Sequence, residues 1–376
     1  MRIIGIIAEY NPFHLGHLYQ INKIKEMYPD SLIIAIISPC FTERGDISII
    51  NKWDKATICL ENGIDLVVEL PTLYATQSAD IFAHGAIQIL NDLGIDTLVF
   101  GCESSNIDFI NLANIQLNNM KYDLLVKKYL DNGINYPSAM SKALNDISNI
   151  KINKPNDLLA LSYVKEIVNN KYNITPIAIK RTSNYHGKNA KKKIISANLI
   201  RELLSNGNDI SSYIPNNVLK YIYKDISLNN GYNYLIYNII NNKDILNQYL
   251  DVSEGIENKI IKSINNSSHW DDLVNNIKSK RYTYNKINRM LLHILLNIKK
   301  SDNKGENYIK ILGFNDIGRK YLNKVKKNIN LPLFYGYKPN KLSVLDIEFK
   351  SLYIYSLIVN DKSLIDREFK NKPIIK

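Results

Sequence analysis

Two histidines three positions apart, His14 and His17, with Gly16 between them, form the spacing in this chain that points most directly to chemistry. On the first turn of a helix, side chains at that separation share a face. Both imidazoles can then meet one anion, and Gly16 lets that anion approach the backbone closely. The N–H groups of a helix start and the positive end of its dipole favour negative charge at the same place. A triphosphate held there would meet donors where charge builds on phosphorus as pyrophosphate leaves. The four-residue pattern by itself also suits an ordinary helix start. Its position adds weight: an apolar run, Ile3 to Ala8, precedes it, Pro12-Phe13 turns the chain, and Leu18 to Met27 is amphipathic.

The elements that must position this pair alternate regularly. Apolar runs at Ile3–Ala8, Leu32–Ile37, Leu66–Leu70 and Thr97–Phe100 predict strands, and Lys52–Glu61 and Ala79–Leu93 predict helices between them. Strands apolar throughout, each followed by a helix, predict a doubly wound parallel sheet covered on both faces. Ligands in such sheets sit beyond the carboxyl ends of the strands, so the following loops should converge. Those loops hold Phe41-Thr42-Glu43-Arg44-Gly45-Asp46 and then Lys52, the stretch Glu69 to Asp80, and Phe100-Gly101-Cys102-Glu103. Arg44 and Lys52 are candidate phosphate contacts or solvated cations. Gly101 suits either close approach of a base or ribose, or a tight turn.

Residues 105 to 150 read as a polar helical insertion. Lys154-Pro155-Asn156-Asp157 then starts a helix on proline, with Asn156 placed either to face a nucleotide or to cap. A fifth strand, Thr175–Ile179, ends in Lys180-Arg181 and a polar loop with Tyr185-His186. Ile194-Ile195-Ser196-Ala197-Asn198-Leu199-Ile200-Arg201 enters another helix, where Ser196 can cap while Arg201 reaches a triphosphate from the side opposite the histidines.

The charge of +12 is unevenly divided. Residues 1–150 hold 10 Lys+Arg against 17 Asp+Glu, net −7, leaving 38 against 19, net +19, for residues 151–376. A basic half beyond an acidic one suggests a polyanionic partner, nucleic acid first. A Lys- and Asn-rich composition would act on both halves and does not account for the change of sign. Helical patterns such as Ile287–Ile298 and Asp346–Val359 dominate residues 205–376, and Arg281, Lys286 and Arg289 cluster at one helix start. Three scattered cysteines, Cys40, Cys59 and Cys102, without a C-x-x-C pair, suggest reduced thiols in a cytoplasmic protein. No apolar run approaches the roughly 18 residues of a membrane span.

H-x-G-H with Ile195-Ser196 and Ile200-Arg201 far downstream resembles the nucleotidyltransferase superfamily whose second signature is I-S-S-T-x-I-R. Glu9 to His17, Arg44-Gly45, Glu69-Leu70-Pro71, Phe100-Gly101, Pro155-Asn156, Lys180-Arg181, Tyr185-His186, Glu254 to Asn258, Arg281-Tyr282-Thr283, Arg289 and Leu312 to Asn315 extend the match. Together they resemble the bacterial tRNA(Met) cytidine acetate ligase family over nearly the whole chain. Two positions depart from its pattern: Glu43 replaces a usual Gln, and Asn198 replaces the Thr of the second signature.

The resemblance implies an α/β, doubly wound parallel-sheet nucleotidyltransferase domain over residues 1–204, with the insertion at 105–150, followed by a mainly α-helical, basic, tRNA-binding domain over residues 205–376. It implies ATP contacts at Ile7, Ala8, Glu9, Tyr10, Asn11, Pro12, Phe13, His14, Leu15, Gly16, His17, Leu18, Tyr19 and Gln20, and at Gly101, Asn156 and Arg181, with His14 and His17 catalytic. The reaction implied joins acetate to ATP as acetyl adenylate, with Mg²⁺ on the phosphates, and passes the acetyl group to the wobble cytidine amine of elongator tRNA(Met). A small-molecule adenylyltransferase and a non-catalytic tRNA-binding protein with a nucleotide fold are the alternatives.

Overall fold

The computed structural model describes residues 1–104, 106–181, 194–339, 341–370 and 372–376. Eight strands form one sheet: β1 Ile3–Ala8, β2 Leu32–Ile37, β3 Leu66–Glu69, β4 Thr97–Cys102, β5 Thr175–Lys180, β6 Ile309–Phe314, β7 Leu333–Phe334 and β8 Ile374–Ile375. Their order is β5-β4-β1-β2-β3-β6-β7, with β8 also on β6. The first five strands are mutually parallel. The chain moves outward from β1 through β2 to β3, then returns to the other side of β1 for β4 and β5. The order therefore reverses between β1 and β4, and a crevice opens at their carboxyl ends.

Alternation along the strands accounts for the layering. Leu32, Ile34 and Ile36 enter one core with Phe82, Ala86 and Val164, while Ile33, Ala35 and Ile37 enter another with Ile21, Ile24 and Ile58. Helices α1 (Leu15–Met27) and α2 (Lys52–Glu61) cover the second face, and α3 (Thr72–Ala75) leads to α4 (Ala79–Asp92) on the first. The segment expected to be a helical insertion forms α5 Phe109–Asn118, α6 Met120–Asp131 and α7 Tyr136–Ser148. Helix α8, Pro155–Asn169, starts on the expected proline and packs beside α4 and α5.

Helix α9, Ala197–Ser205, opens a largely helical second half, but that half also completes the sheet. β6 lies antiparallel on β3, with Leu66 opposite Phe314 and Glu69 opposite Lys310. The second half likewise shares its core with the first: Cys40, Phe41, Trp53 and Leu73 are buried among Trp270, Leu291 and Tyr355. The three cysteines are buried free thiols. No helix among the described residues is long and apolar enough to cross a membrane.

Candidate active site

Helix α1 begins at Leu15, three residues before the periodicity suggested, because two imidazoles cap it. The Gly16 N–H donates to His14 Nδ1 at 3.0 Å, and the His14 N–H donates to His17 Nδ1 at 3.1 Å. Each Nδ1 lone pair is thereby occupied, which assigns the proton of both neutral rings to Nε2. The rings stack at 3.7 Å between centroids with 22° between planes. Tyr10 meets the His17 ring edge-on at 4.7 Å, and Phe13 lies 5.5 Å from it. Burial, then the Arg181 guanidinium, pulls His14 down to about 3. Burial, His14 and Arg181 in turn hold His17 well below the ordinary imidazole range. At neutral pH the site thus presents two neutral Nε2–H donors together with a permanently charged arginine.

A cleft joins these groups. It is lined by His14, Gly16, His17, Tyr19 and Gln20 on the α1 side, and by Gly101, Ile179, Lys180, Arg181 and Ile194 on the β4–β5 side. Gln20 Nε2 donates to the Val99 carbonyl at 3.2 Å, tying α1 to β4. Gly101 belongs to strand β4, opposite Ile179, and not to a turn. A Cβ there would lie 3.4 Å from Arg181 Cγ, so glycine leaves space beside the guanidinium. Arg181 Nη1 reaches Asn156 Oδ1 at 3.5 Å, and Asn156 Nδ2 donates to Glu103 Oε1 at 3.0 Å. Glu103 and Asp157 were not singled out from sequence. Asp157 Oδ1 accepts the Glu103 N–H at 2.7 Å, and a carboxylate on the inner side of α8 was its available signal.

The remaining residues expected to meet ATP divide by burial. Tyr10, Asn11 and Phe13 are at most 3% exposed and support the loop from beneath. Asn11 Nδ2 donates to the Ile47 carbonyl at 3.0 Å while its Oδ1 accepts the Ile49 N–H at 2.9 Å, fixing the loop after β1 on that after β2. Ile7, Ala8 and Leu18 pack on the sheet cores, Pro12 is buried, and Leu15 is half-buried. Glu9 Oε1 accepts the Glu43 N–H at 2.6 Å. Ser196 caps α9 by accepting the Leu199 N–H at 3.2 Å, as its place in the sequence suggested. Arg201 Nη1 donates to the Asn11 carbonyl at 2.7 Å and its Nη2 meets Asp46 Oδ2 at 3.3 Å. The α9 arginine is therefore anchored to the histidine loop across 190 residues of sequence. Tyr185 and His186 lie outside the described residues.

Two cations offered by the sequence have other roles. Lys52 is 0% exposed and bridges Glu69 at 2.7 Å and Glu368 at 3.0 Å, out of reach of solvent. Arg289 is buried and pairs with Glu43 at 3.1 Å, which separates it from exposed Arg281 and half-buried Lys286. The reason is the same in both cases. A buried carboxylate needs a partner, and these cations are the partners within reach.

The profile of the HIGH Nucleotidyl Transferase family matches residues 1–370. The tRNA(Met) cytidine acetate ligase of Clostridium novyi (strain NT) is 37% identical, over all of this chain and 99% of that protein. The chain belongs to the tRNA(Met) cytidine acetate ligase family. A second ligase of the family, from Caldicellulosiruptor saccharolyticus, is 35% identical over all of this chain and 98% of its own length. In three dimensions the chain is similar to Thermotoga maritima TmcAL bound with alpha-thio ATP, with a TM-score of 0.89, 27% identity and coverage of 100% and 99% of the two chains.

Proposed function

We propose that this protein uses ATP to acetylate the exocyclic amine of the wobble cytidine in elongator tRNA(Met). The stacked, tautomer-fixed pair His14 and His17 carries the reading. In the first step an acetate oxygen attacks the α-phosphorus of ATP and pyrophosphate leaves, forming acetyl adenylate. Acetate is already ionised at neutral pH, so the step needs alignment and charge stabilisation more than a base. The two Nε2–H groups and Arg181 act on the oxygens that gain charge. Gly101 and Asn156 flank the nucleotide, and Ser196 and Arg201 close on the phosphates from α9.

In the second step the cytidine amine attacks the acetyl carbonyl, AMP leaves, and the amine loses a proton. The base must leave the anticodon stack to do so. Residues 205–376, with the greater share of the chain's positive charge, bind the tRNA, and residues 1–204 carry the nucleotide. Mg²⁺ enters on the triphosphate, as part of the substrate.

The test is incubation with labelled acetate, ATP and bulk tRNA. Label should enter RNA only with ATP, and His17→Ala should abolish it. Equal labelling without ATP, or adenylation of a phosphorylated small molecule but not of acetate, would sink the proposal.

A further inference from the structure

Two neighbouring residues at the end of β4 control Arg181, one through its backbone and one through its side chain. The Arg181 N–H donates to the Cys102 carbonyl at 2.8 Å, just past the last β4–β5 pair, Cys102 with Lys180. The guanidinium meets Asn156 in the first turn of α8, and Asn156 is in turn held by Glu103. Beyond Asn156 the guanidinium lines the cleft with His14 and His17.

The junction of β4 with α8 is a reciprocal exchange of carboxylates. Asp157, 0% exposed, accepts the Glu103 and Ser104 N–H groups on Oδ1, at 2.7 and 3.3 Å, and the Ser104 hydroxyl on Oδ2 at 2.6 Å. This fixes the backbone from which the Glu103 side chain extends. Glu103 returns two bonds to α8: Oε2 accepts the Asn156 N–H at 3.3 Å, and Oε1 accepts Asn156 Nδ2 at 3.0 Å. The first satisfies an orphan donor of a helix start, where an anion is favoured. The second decides which way the amide faces. A carboxylate only accepts and a guanidinium only donates, so an amide between them satisfies both in one orientation alone. That orientation sets Nδ2 toward Glu103 and Oδ1 toward Arg181 Nη1, 3.5 Å away.

We propose that Glu103 is a positioning residue for adenylation: by setting the Asn156 amide, it sets the Arg181 guanidinium against the nucleotide. Capping α8 would need one acceptor, for the backbone N–H. Orienting Asn156 needs a second acceptor beside it, which a carboxylate supplies and a carboxamide does not. The inference rests on the histidine cleft holding ATP.

The experiment uses the full chain and separates the two roles. In Glu103→Gln, Oε1 still takes the Asn156 N–H, which cannot turn, so Nε2 faces the Asn156 side chain. The amide must reverse, setting its N–H₂ against Arg181. Glu103→Ala leaves the amide free to keep its orientation. Glu103→Gln combined with Asn156→Asp offers one carboxylate oxygen to Gln Nε2 and the other to Arg181. Affinity for a non-hydrolysable ATP analogue, by isothermal titration calorimetry, needs neither acetate nor RNA; acetate-dependent ATP–pyrophosphate exchange reports on the proposed activity, and melting temperature on the fold. Glu103→Gln should lower analogue affinity and exchange about tenfold. Glu103→Ala should cost less than Glu103→Gln, and the double variant should recover most of both losses, while Asn156→Asp alone, which sets two carboxylates face to face, should not. A role in stability alone would give the reverse: Ala worse than Gln, no recovery in the double variant, and losses that track melting temperature. That pattern, or wild-type affinity in Glu103→Gln, would overturn the assignment. Wild-type protein that fails to bind the analogue would sink the nucleotide reading itself. Analogue binding in the expected order, with no exchange in any form, would uphold the role of Glu103 and sink acetate activation alone.

Discussion

Because Nδ1 of His14 takes the Gly16 N–H and Nδ1 of His17 takes the His14 N–H, neither ring is free to rotate or to change tautomer without breaking the helix cap. His14 titrates near 3 when folded and near 6.5 when not. Its share of stability is therefore intact above about pH 6.5 and lost as pH falls toward 3, reaching about 2 kcal/mol near pH 5. Asparagine caps a helix as well as most residues and does not titrate. Urea unfolding of wild type and His14→Asn should show the variant losing about 2 kcal/mol less than wild type between about pH 7.5 and about pH 5. Equal losses would mean that His14 is charged in the folded protein. Gly16 supplies a second test at this scale, since an added Cβ would lie 2.7 Å from His14 Cε1. Gly16→Ala should displace the imidazole and lower adenylation roughly 10- to 100-fold, while the melting temperature holds, alanine being the better helix former.

Where α2, β3 and β6 meet two C-terminal helices, Ser343–Ile358 and Ser363–Lys370, five buried charges face one another. Lys52 bridges Glu69, Glu348 and Glu368, and Lys310 bridges Glu69 and Glu368. Tyr308 and the Thr72 N–H add hydrogen bonds to Glu69 and Glu348. Three carboxylates and two ammoniums leave an unbalanced negative charge. Burial and neighbouring Glu69 push Glu348 up to about 7 from its ordinary 4.5. The stabilisation from its proton is complete below about pH 4.5 and lost as pH rises through 7. Glu348→Gln should therefore gain in urea midpoint relative to wild type on going from about pH 5 to about pH 8. A constant difference would place the proton elsewhere. Lys52→Met leaves the carboxylates without their central partner and should cost about 3–5 kcal/mol in unfolding free energy.

Across the whole molecule, residues 1–204 and the more basic residues 205–376 are joined by one sheet and one shared core. A fragment of residues 1–204 would expose the edge of β3, where β6 now pairs, and strand Lys52 and Glu69 without Lys310, Glu348 and Glu368. It should unfold without a cooperative transition and aggregate; a sharp, reversible melt would show that the halves fold separately. The uneven charge predicts a different response to salt for each substrate. Raising KCl from about 50 to about 200 mM should weaken tRNA binding tenfold or more through counterion release. Adenylation, held by contacts inside a cleft, should change little.

Much of this architecture was legible in the chain itself. Lys52–Glu61 has the expected bounds, the parallel strands fall on their apolar runs, and Ser196 caps α9, because helix period, strand apolarity and capping depend on residues within a few positions of one another. The same is true of the histidine pair. Its tautomer, its neutrality and its tie to Arg201 came only with the fold, which buries the rings and brings position 201 to position 11. Only the fold, likewise, turned Lys52 and Arg289 from surface cations into buried partners, extended β4 through Gly101, and set β6 against β3. Ion pairs and sheet edges link residues hundreds of positions apart, and local periodicity carries no record of which distant segment will arrive.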